Sequence, residues 1–563
     1  MSKKTSQVPA KTVLHFRPEQ QDLVEMNAVA RVWGKDASLW KADPAVQRTI
    51  RQRLGWLTLP VSMKESVTEM NDFLGDVRKF GVQDVVLLGM GGSSLCPEVL
   101  RLVFGNKSGF PRLHVLDTTD PMTIADVRKK TTLKKTLFLV ASKSGDTIEV
   151  TSLFRYFWDE CEKEGLTPSQ QFIAITDPGT PLETLAKDRG FRKIFVTPTD
   201  VGDRFSALTF FGLVPGVLLG LDVKKILDRA ERMADLCAPD VPPEDNPALR
   251  LAAWWVAGVE TGRDKMTLVT SPKLSGFGLW AEQLVAESTG KEGTGILPVH
   301  SEKPRSPSKY PKDRLFICLT LKGDKNTLLE QRMTALEKEG HPVWRIFLDD
   351  LYDLGAEFFR WEMATALAGS LMGINPFDEP NVSETKNNTL KILANFEKTG
   401  ILSEPQPMIN EKGIGFWDFT KTKISGTLDR NWGHALSSGK RGDYIALMAY
   451  TPSRPDIQRA LEKLKDKIEA VTGLAVTLGY GPRFLHSTGQ LHKGGGANGL
   501  FIQITTDDSV VLEIPKVSYG FSALKRAQAL GDVEALKNHH RRGVRVHLTN
   551  TVKDLGTLTR MIQ

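Results

Sequence analysis

The sequence predicts an α/β protein with two doubly wound parallel-sheet domains and a helical N-terminal arm. Short apolar segments rich in β-branched residues alternate with longer helical patterns along most of the 563 residues. This alternation is typical of a parallel sheet that helices cover on both faces. The chain is also longer than one hydrophobic core usually allows, so we expect more than one domain.

The predicted strands form two sets. The first set follows a Trp-rich helical segment and comprises residues 85–88, 113–116, 137–140, 172–176 and 194–197. The second set comprises residues 266–270, 315–319, 343–347, 444–449, 474–478 and 500–504. Because helical patterns separate the strands within each set, we expect one doubly wound domain from each.

Breaks in composition indicate the domain limits. A Pro-rich stretch over residues 238–247 is the expected linker. We predict an N-terminal arm, a first domain, a second domain and a C-terminal segment, over residues 1–40, 41–237, 248–515 and 516–563. Gly and Ser residues near 400–440 indicate an irregular insertion in the second domain.

Charge and hydropathy argue against two classes of partner. The 74 basic and 67 acidic residues are largely interleaved, and the net charge of +7 attracts anionic substrates as readily as nucleic acid. The dense basic cluster at residues 537–542 lacks interleaved aromatic residues, which favours a solvated face or a subunit contact. No apolar run has membrane-spanning length. We therefore expect neither a nucleic-acid nor a membrane partner.

The cytoplasm is the expected compartment. Residues Met1–Lys11 are polar and lack the apolar core of a secretory signal. The cysteines, Cys96, Cys161, Cys237 and Cys318, show no C-x-x-C spacing, which argues against zinc and disulfides. We expect buried thiols in a reducing environment.

Two loops carry the signal for anion binding. Residues 88–94 (LGMGGSS) and 141–149 (ASKSGDTIE) each follow a predicted strand and precede a predicted helix. Glycines let the backbone approach a ligand, a helix N-terminus favours negative charge, and Ser and Thr hydroxyls add donors. We interpret the two loops together as one phosphate cradle.

The first loop alone has other interpretations. It could be a tight turn without a ligand, and it also resembles a dinucleotide-binding turn. The third glycine of that fingerprint is missing, although Asp117 ends a second strand as an acidic residue does there. The Ser, Thr and Lys cluster of the second loop suits a compact phosphomonoester better than a pyrophosphate.

Three segments offer groups for proton transfer or charge stabilisation. Gln283 and Glu287 are four residues apart on a predicted helix and share one face, where an apolar setting can make a carboxylate a base. Arg204 lies in a tight turn, where a guanidinium can stabilise an oxyanion or form a structural ion pair. Lys386 follows a rigid turn at residues 373–382. Taken singly, Glu287 is compatible with an exposed glutamate and Lys386 with a surface lysine.

Five strings carry a resemblance to a known family. In chain order they are GMGGSSL, SKSGDTIE, VGDRFSAL, QLVAESTGK and GINPFDEPNVSETK. They resemble the successive signature motifs of phosphoglucose isomerase. From about residue 30 onward the chain is similar to the isomerase half of bacterial transaldolase/phosphoglucose isomerase fusion proteins. The resemblance implies two sugar isomerase (SIS-type) domains and a homodimer.

The resemblance also implies an activity and residue roles. The activity is reversible aldose-ketose isomerisation of glucose 6-phosphate and fructose 6-phosphate in glycolysis and gluconeogenesis, with no metal or organic cofactor. The expected catalytic residues are Glu287 (the proton shuttle through a cis-enediolate), Arg204, Lys386 and His486. The expected substrate-binding residues are Gly92 and Gln283. The residues expected to hold the substrate phosphate are Ser93, Ser142, Lys143, Ser144 and Thr147.

Two carboxylates depart from the family pattern. Asp146 stands where the family usually has Thr, and a carboxylate close to a phosphate is unfavourable unless it points away. Glu379 stands where the family usually has Gln, which bears on a contact on the phosphate side.

The ring-opening histidine is the third departure. In the family it lies between the motifs of the base and the lysine, where this chain offers only His300 and His341. The string LHSTGQ at residues 485–490 resembles an element of other bacterial isomerases, displaced to follow the lysine. This places the role on His486, with His300 and His492 as alternatives.

Other functions remain open. A non-catalytic phosphosugar-binding regulator would keep the phosphate cradle and could discard the base, so the presence of Glu287, Arg204 and Lys386 favours an enzyme. A bifunctional glucose/mannose phosphate isomerase is a second alternative. A nucleotide-dependent dehydrogenase is disfavoured by the second loop.

Overall fold

The computed structural model describes residues 17–421 and 423–563. The segment Met1–Lys11, predicted to be a polar tail, lies outside these residues. The described part of the N-terminal arm is helical, with α1 (Arg17–Glu25) and α2 (Ala28–Trp33).

The first sheet is parallel throughout. Its strands are β1 (Asp84–Gly89), β2 (Arg112–Leu116), β3 (Thr136–Ala141), β4 (Phe172–Thr176) and β5 (Lys193–Val196). They lie in the order β2-β1-β3-β4-β5, so the chain reverses its winding direction between β1 and β3. The five strands of the first predicted set are confirmed.

Helices cover both faces of this sheet. Along β1, Val85 and Leu87 belong to one hydrophobic cluster, whereas Val86 and Leu88 belong to another. A strand buried on both faces needs apolar residues at every position, which is why β1 and β3 are continuous apolar runs and do not alternate with polar residues.

A second parallel sheet shares a core with the first. Its strands are β6 (Lys265–Thr270), β7 (Leu297–Val299), β8 (Arg314–Leu321) and β9 (Val343–Leu348), in the order β7-β6-β8-β9. One hydrophobic cluster contains Leu87 and Leu139 of the first sheet together with Met266 and Leu315 of the second. The two sheets therefore pack around one continuous core.

A third, mixed sheet follows. Its strands are β10 (Ile409–Glu411), β11 (Ile414–Asp418), β12 (Tyr444–Tyr450), β13 (Ala475–Tyr480), β14 (Gly499–Thr506) and β15 (Arg542–Leu548). The order is β10-β11-β15-β14-β12-β13, and the β10-β11 and β11-β15 pairs are antiparallel. The strands predicted after residue 248 are thus divided between two sheets, because alternation predicts element type but not which strands pair.

Two predicted segments have more structure than expected. The region near residues 400–440, predicted to be irregular, contains β10, β11 and a helix at Leu428–Ser437. The C-terminal segment supplies β15, which pairs with both β14 and β11 near the middle of the third sheet. The predicted limit at residue 515 therefore runs through this sheet.

The remaining helices complete the α/β architecture. In chain order they are α3 (Pro44–Arg51), α4 (Leu59–Ser62), α5 (Val67–Lys79), α6 (Gly92–Phe104), α7 (Pro121–Lys130), α8 (Ile148–Lys163), α9 (Pro181–Asp188), α10 (Phe210–Leu218), α11 (Val223–Leu236), α12 (Pro247–Glu260), α13 (Phe277–Thr289), α14 (Thr327–Lys338), α15 (Leu354–Leu371), α16 (Val382–Thr399), α17 (Leu428–Ser437), α18 (Pro455–Thr472), α19 (Gly489–Gly494), α20 (Phe521–Asn538) and α21 (Thr551–Met561). None of the helices in the described part of the chain is both long and apolar enough to cross a membrane.

Replacing Leu139 with Ala in β3 should destabilise the fold. Leu139 is fully buried in the core that the first two sheets share. The lost methyl groups and the resulting cavity should cost about 2 to 5 kcal/mol of unfolding free energy, measured by urea denaturation. Leu328→Ala is the control, because Leu328 is 80% exposed and should change little. Equal losses for the two variants would contradict the shared core.

Candidate active site

The candidate site lies at the carboxyl edge of the first sheet. The loops after β1, β3 and β5 all leave the sheet at this edge because the strands are parallel. The edge next to the point where winding reverses, between β1 and β3, is where doubly wound sheets bind ligands. The first two loops are the predicted phosphate cradle, and the third carries Arg204.

A cavity of about 510 Å³ opens there and brings together most of the predicted site residues. Those that line it are Ser93, Ser142, Lys143, Ser144, Thr147, Glu287, Lys386 and His486. Gly92, Arg204 and Gln283 lie behind its wall and contact groups that line it. Residues far apart in sequence thus meet at one site.

The second loop of the phosphate cradle is held by its own hydroxyls. Ser142 Oγ lies 2.9 Å from Thr147 Oγ1, and the Gly145 N–H donates to Ser142 Oγ at 3.1 Å. Gly145 has a φ of +74°, and a Cβ there would lie 2.8 Å from the Leu182 nitrogen. The turn therefore needs glycine. It points a cluster of hydroxyls into the cavity.

The close approach of Asp203 explains why the first loop needs glycine at position 92. The Gly92 N–H donates to Asp203 Oδ2 at 2.7 Å. A Cβ on Gly92 would lie 1.9 Å from the Asp203 carbonyl oxygen, so no other residue fits this approach. Burial raises the pKa of the Asp203 carboxyl. Sequence reasoning missed Asp203, although it stands beside Arg204 in the quoted motif.

Glu287 is buried at the wall of the cavity on α13. Gln283 Nε2 donates to Glu287 Oε2 at 3.2 Å, and Arg204 Nη1 lies 3.4 Å from Glu287 Oε1. Burial raises the pKa of Glu287 to about 7, because the opposing effect of Arg204 is smaller and Glu379 and Asp203 add negative charge nearby. The exposed-glutamate interpretation is thus wrong, and the carboxyl can exchange a proton near neutral pH.

Arg204 is fixed by acceptors on every side of its guanidinium. Nε donates to Ser288 Oγ at 2.8 Å, and Nη2 donates to the carbonyl oxygens of Pro376 and Asp378 at 2.9 and 2.7 Å. Nη1 donates to Glu379 Oε2 at 3.0 Å. Arg204 therefore forms a structural ion pair with Glu379 and also places its positive charge next to Glu287.

The two carboxylates that depart from the family pattern, those of Glu379 and Asp146, each contact a basic side chain. Glu379 lines the cavity and pairs with Arg204. Asp146 accepts from Ser144 Oγ at 2.5 Å and lies 3.3 Å from Lys386 Nζ on α16, so it contacts two residues that line the cavity without lining it itself. Lys143 Nζ pairs with Asp177 at the other side of the same loop.

His486 is the histidine that reaches the cavity. It ends a 3₁₀ turn, and its Nε2 lies 3.1 Å from Glu149 Oε1, which also accepts from Gln528 Nε2 at 2.7 Å. Burial disfavours the imidazolium and acts to lower the pKa of His486. The negative charge and the hydrogen bond of Glu149 act in the opposite direction, and the pKa of His486 is raised. Glu149 lay inside the quoted SKSGDTIE string without an assigned role, and its partner could not be found from spacing because it is 337 residues away.

The alternative histidines do not line the cavity. His300 Nε2 lies 3.1 Å from Glu282 Oε2. His492 is buried among the rings of Tyr444, Phe484 and Phe501, and neither ring nitrogen has a hydrogen-bond partner among the described residues. Burial lowers the pKa of His492 well below the ordinary value.

The contacts of Asp117 argue against the alternative of a nucleotide-binding site. Arg483 Nε and Nη2 donate to Asp117 Oδ2 and Oδ1 at 2.6 and 2.8 Å. A carboxylate occupied in this bidentate way is not free to bind a ribose. Within the described ranges, no group of three or more His, Cys, Asp and Glu side chains is arranged to hold a metal ion.

Replacing Glu149 with Gln should lower the pKa of His486. The substitution keeps the shape of the acceptor but removes the negative charge that stabilises the imidazolium. An NMR titration of the histidine side chains should show the His486 midpoint move to lower pH, with its signal assigned from a His486→Gln sample. Glu282→Gln, which alters the matched His300 pair, is the control. An unmoved His486 midpoint in Glu149→Gln would refute the assigned pairing.

The chain is similar in sequence to known isomerases. The family model "Phosphoglucose isomerase" matches residues 62–296. The glucose-6-phosphate isomerase of Campylobacter jejuni is 27% identical over 373 residues, which cover 59% of this chain and 90% of that protein. The glucose-6-phosphate isomerase of Mycoplasmopsis synoviae is 30% identical over 391 residues, which cover 60% of this chain and 89% of that protein.

Solved structures share the fold. A hypothetical protein from Thermus thermophilus superposes with a TM-score of 0.60 at 26% identity, covering 69% of this chain and 100% of that one. A glucose-6-phosphate isomerase from Chlamydia trachomatis superposes with a TM-score of 0.52 at 20% identity, covering 68% and 85%. The α/β fold with parallel sheets, the ordered motifs and the near-complete coverage of these relatives agree, and the chain belongs to the phosphoglucose isomerase family.

Proposed function

We propose that this protein catalyses the reversible isomerisation of glucose 6-phosphate and fructose 6-phosphate, with Glu287 as the proton shuttle. The observation that carries the proposal is the placement of a buried carboxyl beside a fixed guanidinium, on the wall of the cavity that also contains the phosphate cradle. Family membership supports the same reaction.

The phosphate cradle would hold the substrate by its charged end. Ser93, Ser142, Ser144 and Thr147 offer hydroxyl donors, and Lys143 offers a cation. Hydrogen bonds to an ionised phosphate are stronger than bonds between neutral groups. A substrate anchored in this way would have its carbon chain directed along the cavity toward Glu287.

The proton transfer would use Glu287 and Arg204 as a pair. In the direction from aldose to ketose, the Glu287 carboxylate takes the proton from C2 and returns it to C1, while the hydroxyl proton of O2 passes to O1, so that the carbonyl moves from C1 to C2. The enediolate formed between the two steps carries negative charge, which the Arg204 guanidinium stabilises. A base with a pKa of about 7 suits both halves of this exchange at neutral pH. Gln283 holds the carboxylate in place.

Ring opening would fall to His486, assisted by Lys386. Both side chains line the cavity, and Glu149 orients the imidazole through Nε2. The cyclic sugar needs a proton moved between its ring oxygen and O1, and an imidazole can both donate and accept a proton. His300 and His492 lack this access to the cavity.

The other functions are less well supported. A non-catalytic regulator has no use for a buried carboxyl next to a buried guanidinium, both of which are costly to keep in the fold. Turnover of mannose 6-phosphate would use the same groups and is an outcome of the assay below. We further propose a role in glycolysis and gluconeogenesis, a cytoplasmic location consistent with four free buried cysteines, and a homodimer.

Replacing Glu287 with Gln should reduce kcat by on the order of 10²- to 10⁴-fold, because the amide cannot take a proton. The measurement is a coupled assay of fructose 6-phosphate conversion in the presence of a chelator. For the wild type, kcat/KM should rise as the pH increases to about 7 and then level off, because the base acts only when ionised.

Glu282→Gln is the control for this variant. Glu282 lies on the same helix but pairs with His300 and does not line the cavity, so its variant should stay active. A Glu287→Gln variant within a few-fold of wild type would remove Glu287 from the proposed role.

Replacing His486 with Ala should lower kcat on the cyclic substrate by on the order of 10²-fold. An acyclic phosphorylated inhibitor that mimics the enediolate needs no ring opening, so its inhibition constant should change little. His300→Ala and His492→Ala are the matched controls and should retain kcat. A selective loss in His300→Ala would place ring opening on the residue in the usual family order.

A further inference from the structure

Asp146 binds two side chains that have a role in the proposed function, Ser144 in phosphate binding and Lys386 in ring opening. Its Oδ1 accepts from Ser144 Oγ at 2.5 Å, and its Oδ2 lies 3.3 Å from Lys386 Nζ. Ser144 belongs to the phosphate cradle, and Lys386 lines the same cavity from α16. One carboxylate therefore bridges the loop and the helix beside the proposed phosphate site.

This bridge differs from the other carboxylate contact of the same loop. Lys143 pairs with Asp177, whose second oxygen accepts from Thr197 Oγ1 at 2.5 Å, and the side chains of this pair are only 15% and 13% exposed. Asp146 and Lys386 are 53% and 49% exposed. A half-exposed ion pair contributes little and opens readily, whereas the Lys143 pair is enclosed.

The charge on Asp146 suits it as a stand-in for phosphate. Burial acts to raise its pKa, but the Ser144 hydroxyl and Lys386 outweigh burial and lower the pKa of Asp146. The carboxylate is therefore ionised at neutral pH, with two acceptor oxygens. A phosphate monoester brings three acceptor oxygens and close to two negative charges, so it should win the Ser144 hydroxyl from the carboxylate and thereby release Lys386.

We propose that Asp146 is an internal competitor of the substrate phosphate: in the free protein its carboxylate holds Ser144 and Lys386, and the phosphate displaces it toward solvent on binding. The proposal rests on the proposed function only in taking this cavity as a phosphate site. It makes Asp146 a specificity-determining residue, because a neutral sugar lacks the charge needed to displace the carboxylate.

The competition predicts the direction and size of an affinity change. Only molecules with the Asp146 contact open can bind phosphate, so the apparent affinity is reduced by the open fraction. For an exposed ion pair of ordinary strength, this reduction is about two- to sixfold. Removing the charge on Asp146 should therefore tighten phosphate binding. If Asp146 instead served to position Lys386 for the ligand, removing it would weaken binding.

The test is calorimetric titration of the full chain with inorganic phosphate at pH 8 and constant ionic strength. Asp146→Asn should bind phosphate about two- to sixfold more tightly than wild type. Asp146→Ala, which removes the acceptor as well, should agree. Asp188→Asn is the control for net charge: Asp188 is exposed on α9 and does not line the cavity, so its affinity should equal that of the wild type.

Two outcomes separate this inference from the proposed function. Equal or weaker phosphate binding by both Asp146 variants overturns the inference, even if the wild type isomerises fructose 6-phosphate. Tighter binding by these variants with no isomerase activity in the wild type upholds the inference and overturns the proposed function.

Discussion

The candidate site depends on the buried guanidinium of Arg204. A charge removed from water is stable in a protein only when its donors are all matched by well-placed acceptors. Arg204 meets this condition with acceptors from α13 and from the turn at residues 376–379, and is only 2% exposed. The same bonds that satisfy the charge join these two segments of the chain. The position of Glu287 therefore follows from the need to neutralise one cation.

Burial, together with the balance of charge around this guanidinium, explains the raised pKa of Glu287. The negative charges of three carboxyls act on the guanidinium, those of Glu287, Glu379 and Asp378. Lys291 braces the same turn, donating to the Asn375 carbonyl at 2.6 Å. Burial and the proximity of Arg204 lower the pKa of Lys291 to about 8. With more acidic than basic groups in a desolvated space, the carboxyl of Glu287 keeps its proton to a higher pH than a surface glutamate would.

The sequence predicted features that depend on a local pattern of residues. It predicted less well the features that depend on which distant strands or side chains pair with each other. The strands of the first sheet and the two strand-to-helix turns after β1 and β3 were predictable, because burial on both faces and a strand-to-helix turn each leave a local signature. The division of the later strands into two sheets was not, because β15 pairs across long separations with β11 and β14. The Glu149 and Asp203 contacts were missed for the same reason. Periodicity in the sequence indicates the type of element and whether a residue is buried, but it does not indicate which distant residue that residue contacts.

The contacts of α20 have a consequence for biosynthesis. Gln528 on this helix donates to Glu149 and accepts from Thr119 Oγ1 at 2.7 Å, so a residue that follows the first sheet by hundreds of positions completes the hydrogen bonding around His486. The first sheet leaves the ribosome hundreds of residues before α20 and can pair its own strands early. The chain cannot complete the hydrogen bonds around the His486 imidazole until α20 has been synthesised. A product that stops before α20 would therefore contain the loops after β1 and β3 without the Gln528 contact that completes the surroundings of His486.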